Sequence, residues 1–286
     1  MPGVKRAHRI ARVLELDPDL GDGITEREWE AALPACRAEL VTCPRGRWEP
    51  ASDPLHDEHR LAFVIVHGMI CREAALADRH MLELLGPSDV LQPPVAAPRP
   101  RLVGRASITI VSDAVLLGLG RSFIRASARW PSLMSNLHRR LESQREHLAV
   151  QGLIAHLPRA EHRLLLILWH LSGTWGRVTA HGTLLSIPLT HGLLGQLAAA
   201  RRSTVTLAMR ALEAEGLIRR LDGGAWLLTP QAERCVHAIA STSSGQPAVG
   251  QMLMTRHRSE EVRRDAAAVR AEAAQVLHRV GARVDL

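Results

Sequence analysis

Tyrosine is absent from the 286 residues and phenylalanine occurs only twice. A binder of single strands that stacks bases on aromatic rings would have little material here. Cysteine is scarce too. Cys36, Cys43, Cys71 and Cys235 contain no C-x-x-C pair, which argues against a disulfide scaffold in a chain of this length. No apolar run reaches the roughly 18 residues of a membrane span. The basic N-terminus is not followed by a clean apolar stretch and cleavage site, so the expected location is cytoplasmic, with no membrane partner. No nucleotide loop, paired-carboxylate motif, H-E-x-x-H or nucleophile elbow appears, and Gly118-Leu-Gly-Arg is too short to count as one. No enzyme is expected.

Lysine is nearly missing as well. Of 36 basic residues only Lys5 is a lysine, and the formal net charge is +7. Arginine is the better fork-shaped donor to phosphates and guanine edges, although genomic base composition produces the same bias. A basic balance favours an anionic partner without naming it. The length suits about two domains, and 46% apolar residues suffice for true cores.

Trp29, Leu33, Cys36 and Leu40 recur at helical spacing and predict a short helix around Glu26–Leu40. Short apolar runs follow, at Leu61–His67, Met69–Cys71, Met81–Leu85, Ile108–Val111 and Val115–Leu119. Gly68, Ala77–Arg79, Gly86–Asp89 and Ser112–Asp113 punctuate them, as in an all-β sandwich or barrel. Pro93–Arg101 holds four prolines and reads as a loop. From about Ser122 to His156 the pattern is that of one long amphipathic helix, with Trp130, Met134, Leu137, Leu141 and Leu148 near one face. This face either packs on its own domain or pairs with its twin in a homodimer.

Helix Arg159–Ser172 follows Pro158. Val178–Thr179 and Leu184–Leu189 are expected as two short strands around His181–Gly182. Thr190 is a good N-cap for a helix to about Leu197. Ala198–Ala200 are small where two helices must approach. A second helix is expected from Arg201 or Arg202 to about Glu215, with Val205, Ala208, Met209 and Leu212 inward and Gly216 ending it. Leu217–Arg219, the turn Asp222–Gly224 and Ala225–Leu228 complete a hairpin wing. Helix, turn, helix and wing make a winged helix-turn-helix, roughly between Glu161 and Thr229. Its second helix would place Arg201, Arg202, Ser203 and Thr206 at base edges. Arg210, Thr204, Thr190, Arg219 and Arg220 would face the DNA backbone. Cations at a helix N-terminus are disfavoured unless something anionic arrives. The plainer alternative is that these arginines only solvate a surface helix.

Arg163-Leu-Leu-Leu-Ile-Leu-Trp-His-Leu, Leu189-Thr-His-Gly-Leu-Leu-Gly-Gln-Leu and Ala200-Arg-Arg-Ser-Thr-Val-Thr-Leu-Ala-Met-Arg together resemble the C-terminal domain of the Crp/Fnr superfamily of bacterial regulators. The resemblance is strong over Arg163–Thr229 and weaker from Leu55 to there. It implies an α+β chain: an N-terminal β-roll like a cyclic-nucleotide-binding jelly roll, a long dimerisation helix, a C-terminal winged helix-turn-helix and, in this chain, an extra C-terminal helix. Matching boundaries are 1–121, 122–157, 158–230 and 231–286. The implied partners are double-stranded DNA, a second copy of the chain and RNA polymerase. By the same resemblance Arg202 and Ser203 read bases and Thr204 supports a backbone contact. Leu207 stands where the family often has a guanine-reading arginine, so it meets either a thymine methyl or solvent. Leu85-Gly-Pro-Ser-Asp occupies the turn before the family's phosphate cassette, but Gln92-Pro-Pro-Val-Ala-Ala-Pro has few free N–H groups to cradle a phosphate. Cyclic nucleotides are therefore not the expected effector. The cysteines are too dispersed for an iron–sulfur cluster, and fifteen histidines designate no haem ligand pair, so no cofactor is assigned.

Arg256–Val280 reads as a further helix, after a linker at Ser241–Gly250. Val262, Val269 and Val276 with Ala266, Ala273 and Val280 form a short seam, to be packed on the body or added to the dimer. A winged-helix protein-interaction module or a nucleoid-associated structural protein is the alternative function.

Overall fold

The computed structural model describes residues 9–48, 60–76, 79–92 and 105–242. They form two units that divide within one helix, between Glu146 and His147, with residues 80–82 counted in the second. The expected loop at Pro93–Arg101, most of the cassette stretch and the seam helix at Arg256–Val280 lie outside the described residues.

Strands dominate the first unit. They are β1 (Arg9–Arg12), β2 (Arg37–Cys43), β3 (Gly46–Trp48), β4 (Ala62–Leu76), β5 (Arg79–Leu85), β6 (Val90–Leu91) and β7 (Arg105–Leu119). The sheet runs β1-β2-β7-β4-β5, with β3 added on β7 and β6 on β4. Met81–Leu85 falls on β5, and the other four short apolar runs prove to be pieces of two long antiparallel strands. Leu61–His67 and Met69–Cys71 fall essentially on β4, while Ile108–Val111 and Val115–Leu119 fall on β7. Between them lies a bulge, where the register shifts from Ile65 through His67 and Met69 to Ile70. Gly68 sits there at φ +90, and a Cβ on it would lie 2.4 Å from the Asp113 carbonyl oxygen. Glycine and the Ser112–Asp113 pair therefore mark a bulge rather than turns. The bulge also resets the alternation, since Phe63 and Ile65 before it and Ile70 after it face the same core with Ile110 and Leu116.

The expected helix over Glu26–Leu40 is too long and is corrected. α1 (Val13–Leu16) and a 3-10 turn at Pro18–Gly21 precede α2 (Glu26–Ala35), and Leu40 belongs to β2. Pairing of β2 with both β1 and β7 overrides the local helical spacing. A single helix from Ser122 to His156 is also corrected. α3 (Arg121–Arg129) and α4 (Ser132–Ala155) are separate helices. Pro131 holds the preceding residue out of helical geometry, and Trp130 has ψ 85. Trp130 and Leu137 are buried in the first unit's own core with Phe123 and Leu133, and Leu141 packs against it. Trp130 and Leu137 are core residues rather than an open seam. Met134 is 37% exposed and Leu148 half-buried.

The first half of α4 is also held by a polar row at intervals of four. Asn136 Nδ2 donates to the carbonyls of Leu20 (2.9 Å) and Asp22 (2.8 Å). The Arg140 guanidinium donates to both Asp17 carboxylate oxygens (2.5 and 2.8 Å) and to the Ser88 carbonyl (3.2 Å). Gln144 accepts from Val90 N–H (2.9 Å) and donates to Val90 C=O (3.1 Å), as a neighbouring strand would. Burial opposes the charge of Arg140, but Asp17 more than offsets it and keeps the guanidinium firmly protonated.

Asp89 closes the Leu85–Asp89 turn by accepting from the Gly86 N–H at 2.8 Å. Its carboxyl, closely surrounded by protein, is pushed up to about 7 by burial; Glu83 adds to the shift, while the Gly86 N–H and Arg140 oppose it.

In the second unit, α5 (Ala160–Trp175) leads to β8 (Gly176–Thr179), β9 (Gly182–Leu185), α6 (His191–Leu197), α7 (Arg202–Ala214), β10 (Ile218–Arg220), β11 (Trp226–Leu228) and α8 (Pro230–Thr242). Its sheet has the order β10-β11-β9-β8. α5 runs three residues past the expected Ser172, and β9 stops at Leu185 rather than Leu189. α8 was not anticipated, although buried Ala232, Val236 and Ile239 carry the i, i+4, i+7 signal. It packs on α5 and β11.

Replacing Arg140 by Leu strands the Asp17 carboxylate, which is 2% exposed. The expected loss is about 3–5 kcal/mol in urea denaturation of the first unit. A raised folded-state pKa at Asp89 gives stability that is complete below the unfolded value of about 4 and lost as pH rises towards 7. Asp89→Asn is therefore expected to match the parent near pH 4 and to exceed its stability increasingly up to neutrality. A constant difference across pH would contradict this.

Candidate nucleic-acid interface

Thr190 caps α6 as the sequence suggests. Its backbone is extended (φ −83, ψ 156) and its hydroxyl accepts from Leu193 N–H at 3.1 Å. Leu194 and Leu197 of α6 are buried, and Ala198 beyond them is fully buried. The chain then reverses tightly. Ala199 takes φ +48, and Ala200 N–H donates back to Gly195 C=O at 2.8 Å. A Cβ on Gly195 would sit 2.7 Å from the Ala200 carbonyl oxygen. The turn closes only because position 195 has no side chain.

Arg201 lies just outside α7 as its N-cap, and Gly216 follows the helix at φ +68. Val205, Ala208, Met209 and Leu212 are buried, and the helix packs against α5 and α6. Arg202, Ser203, Leu207 and Arg210 are exposed. Thr204 is half-buried. Thr206, expected at the bases, is also half-buried and already engaged. Its hydroxyl donates to Arg202 C=O (3.0 Å) and lies 3.1 Å from Nδ1 of His191 on α6. The structure places Thr206 as a tie between the two helices. Likewise the Thr190 hydroxyl is used on the cap.

The wing stands beside α7. Arg219 and Arg220 are exposed on β10. The Arg220 guanidinium lies over the ring of buried Trp226 at 5.6 Å, and the backbone N–H of Arg220 donates to Glu213 Oε1 at 3.3 Å. The Thr229 hydroxyl donates to Gly216 C=O at 2.8 Å, tying the end of β11 to the start of β10. Arg201, Arg202, Arg210, Arg219 and Arg220 thus all expose their charge, and no acidic residue stands in the first turn of α7.

One positioning residue escaped the sequence reading. Arg163 on α5 donates through Nε to Ala198 C=O (2.9 Å) and through Nη1 to Leu157 C=O (2.6 Å). It holds the last carbonyl region of α6 against the start of α5. A charged residue opening the apolar run Leu164–Leu168 was the available signal. Among the described residues, no three His, Cys, Asp or Glu side chains are arranged to hold a metal, and no helix is long and apolar enough to cross a membrane.

Residues 162–232, from the first turn of α5 into α8, match the family model of the Crp-like helix-turn-helix domain. The C-terminal reader is thus a Crp-like helix-turn-helix domain. No curated protein matches the chain. Solved structures share the fold of this chain at low identity. A CooA variant from Carboxydothermus hydrogenoformans is 17% identical, with TM-score 0.53, over 69% of this chain and 87% of that one. FixK2 from Bradyrhizobium japonicum is 18% identical, with TM-score 0.51, over 70% and 96%. A cyclic nucleotide-binding domain containing protein from Listeria monocytogenes EGD-e is 14% identical, with TM-score 0.52, over 66% and 87%.

Two glycines of α6 should respond oppositely to alanine. Gly195→Ala forces a Cβ onto backbone and is expected to cost about 1–3 kcal/mol. At Gly192 a Cβ would meet only the Thr190 hydroxyl, at 3.8 Å, so Gly192→Ala is expected to gain up to about 1 kcal/mol from helix propensity. Thermal denaturation followed by hydrogen exchange over α6 and α7 checks both.

Proposed function

We propose that this chain is a sequence-specific transcription regulator of the Crp/Fnr type that reads duplex DNA in the major groove with α7 and clasps the backbone with the wing. The supporting observation is the five exposed arginines on one reader, two of them at the N-terminal end of α7, where helix polarity disfavours cations. Arg201, Arg202 and Ser203 are the base-reading candidates. Arg210, Thr204, Arg219 and Arg220 are the backbone candidates. Residues 1–121 serve as an effector-side domain, 122–157 as the connector, 158–230 as the reader and 231–286 as an extension.

A homodimer follows from the same reading, since a helix-turn-helix usually reads paired half-sites. Met134, Leu141 and Leu148 recur every seven residues on α4, with Met134 exposed and the other two half-buried, and are the candidate contacts. The compartment is the cytoplasm, and RNA polymerase is the partner through which bound regulator acts. Gln92-Pro-Pro in the cassette place argues that cyclic nucleotides are not the effector, because proline has no N–H to offer a phosphate.

Genome-wide footprinting with the full-length protein, then binding to the recovered duplex, tests this. A two-fold symmetric site is expected, with affinity falling steeply as salt rises. Replacing both Arg202 and Arg210 by Ala is expected to weaken binding at least about tenfold and to flatten the salt slope by about one for each phosphate no longer neutralised. Unchanged affinity in the double variant would defeat the proposal.

A further inference from the structure

We infer that Leu207 reads the 5-methyl group of a thymine, making that methyl a specificity determinant at one position of each half-site. The inference rests on the proposal that α7 enters the major groove. Leu207 is 67% exposed, the largest fractional exposure of any large apolar side chain among the described residues of the second unit. It lies at i+4 from Ser203 and i−3 from Arg210, on the face of α7 opposite Val205, Ala208, Met209 and Leu212. The side chain contributes little to folding, and in the groove it would stand between groups that take phosphates and polar base edges.

Leucine has no donor or acceptor. Pressed against guanine O6 and N7, adenine N6 and N7 or cytosine N4, it would strip water from these groups and return no hydrogen bond. The thymine methyl is the one apolar feature that a base pair presents in the major groove. It is therefore the complementary occupant. A protein surface fits less well, because a single leucine among Arg202, Ser203 and Arg210 is not an apolar patch of the size that marks a protein interface. A further consequence concerns modified DNA. 5-Methylcytosine carries the same methyl at the same place, so at this position it should bind better than cytosine.

The test uses the full-length protein and duplexes selected from a random pool. Each thymine of the selected site is replaced in turn by deoxyuridine, which removes only the methyl. One thymine per half-site is expected to lose about 3- to 10-fold in affinity. Leu207→Ala should bind thymine and deoxyuridine duplexes equally at that position while melting like the parent, and Arg202→Ala should keep the discrimination. If the parent binds every deoxyuridine duplex as tightly as thymine, yet still depends on Arg202 and Arg210, Leu207 reads no methyl and the DNA reading stands. Discrimination that persists in Leu207→Ala assigns the methyl to another residue and overturns the inference. If no duplex is enriched at all, the DNA reading fails and this inference with it.

Discussion

The carbonyl of Ala200 folded back over Gly195 is the contact on which the reader depends. It lets the chain leave α6 and start α7 within four residues, and so fixes which face of α7 points outward. The neighbours all serve the same approach. Ala198 is small and buried, Ala199 accepts left-handed geometry, and Arg163 holds the Ala198 carbonyl from α5. Thr206 and His191 then pin α7 to α6 one turn further along. A base-reading surface needs placement to within a fraction of an ångström. Here backbone and short side chains provide it, and the long arginines remain free to adapt.

The first unit solves a different problem with different means. Its helix α4 is fastened by Asn136, Arg140 and Gln144, each bonding to backbone or to a buried carboxylate of the same unit. Apolar packing alone would let a helix slide at little cost. Directional hydrogen bonds spaced four residues apart fix both its rotation and its height. Arg140 joins the Asp17 region to the Ser88 turn, so the segment before α2 and the turn after β5 are set by one side chain. The residues read in sequence as a dimer face are partly taken up by this arrangement. Trp130 and Leu137 complete the core, which leaves Met134, Leu141 and Leu148 as the part of that face with exposure remaining.

Legibility in the sequence followed the range of the forces involved. The reader was legible almost residue by residue, because caps, small residues and 3.6-residue periodicity are local. Thr190, Ala198, Gly216 and the Asp222–Gly224 turn all stand where the pattern put them. The sheet unit was legible in class but not in detail. Gly68 breaks the alternation on β4, and only pairing with β7 shows that the strand continues through it. Leu40 kept helical spacing by coincidence, and the pairing of β2 on both edges decided its state. The reach of Thr206 to His191 and of Arg163 to Ala198 spans 15 and 35 residues, so no local pattern could reveal either. The first of these contacts makes Thr206 a tie between α6 and α7.

What remains on that surface is unusual in its balance of forces. Arg201 and Arg202 stand at the positive end of α7 with no acidic residue in the first turn to relieve them. Arg219 and Arg220 add charge of the same sign on the wing, and the nearby carboxylate of Glu213 is engaged by the backbone N–H of Arg220. These like charges suit an anionic partner, and on the proposed reading a duplex would meet them with its phosphates and release counterions as it does so. That gain is the same for every sequence, so the arginines facing the backbone supply affinity without choice. Choice has to come from the few exposed groups in the middle of the α7 face, where hydrogen-bond geometry or an apolar contact separates one base pair from another. Position 207 is central to that face and carries no charge. On the proposed reading, a change there would alter which sequence is preferred while leaving the general attraction to DNA intact, whereas a change at Arg219 or Arg220 would do the reverse.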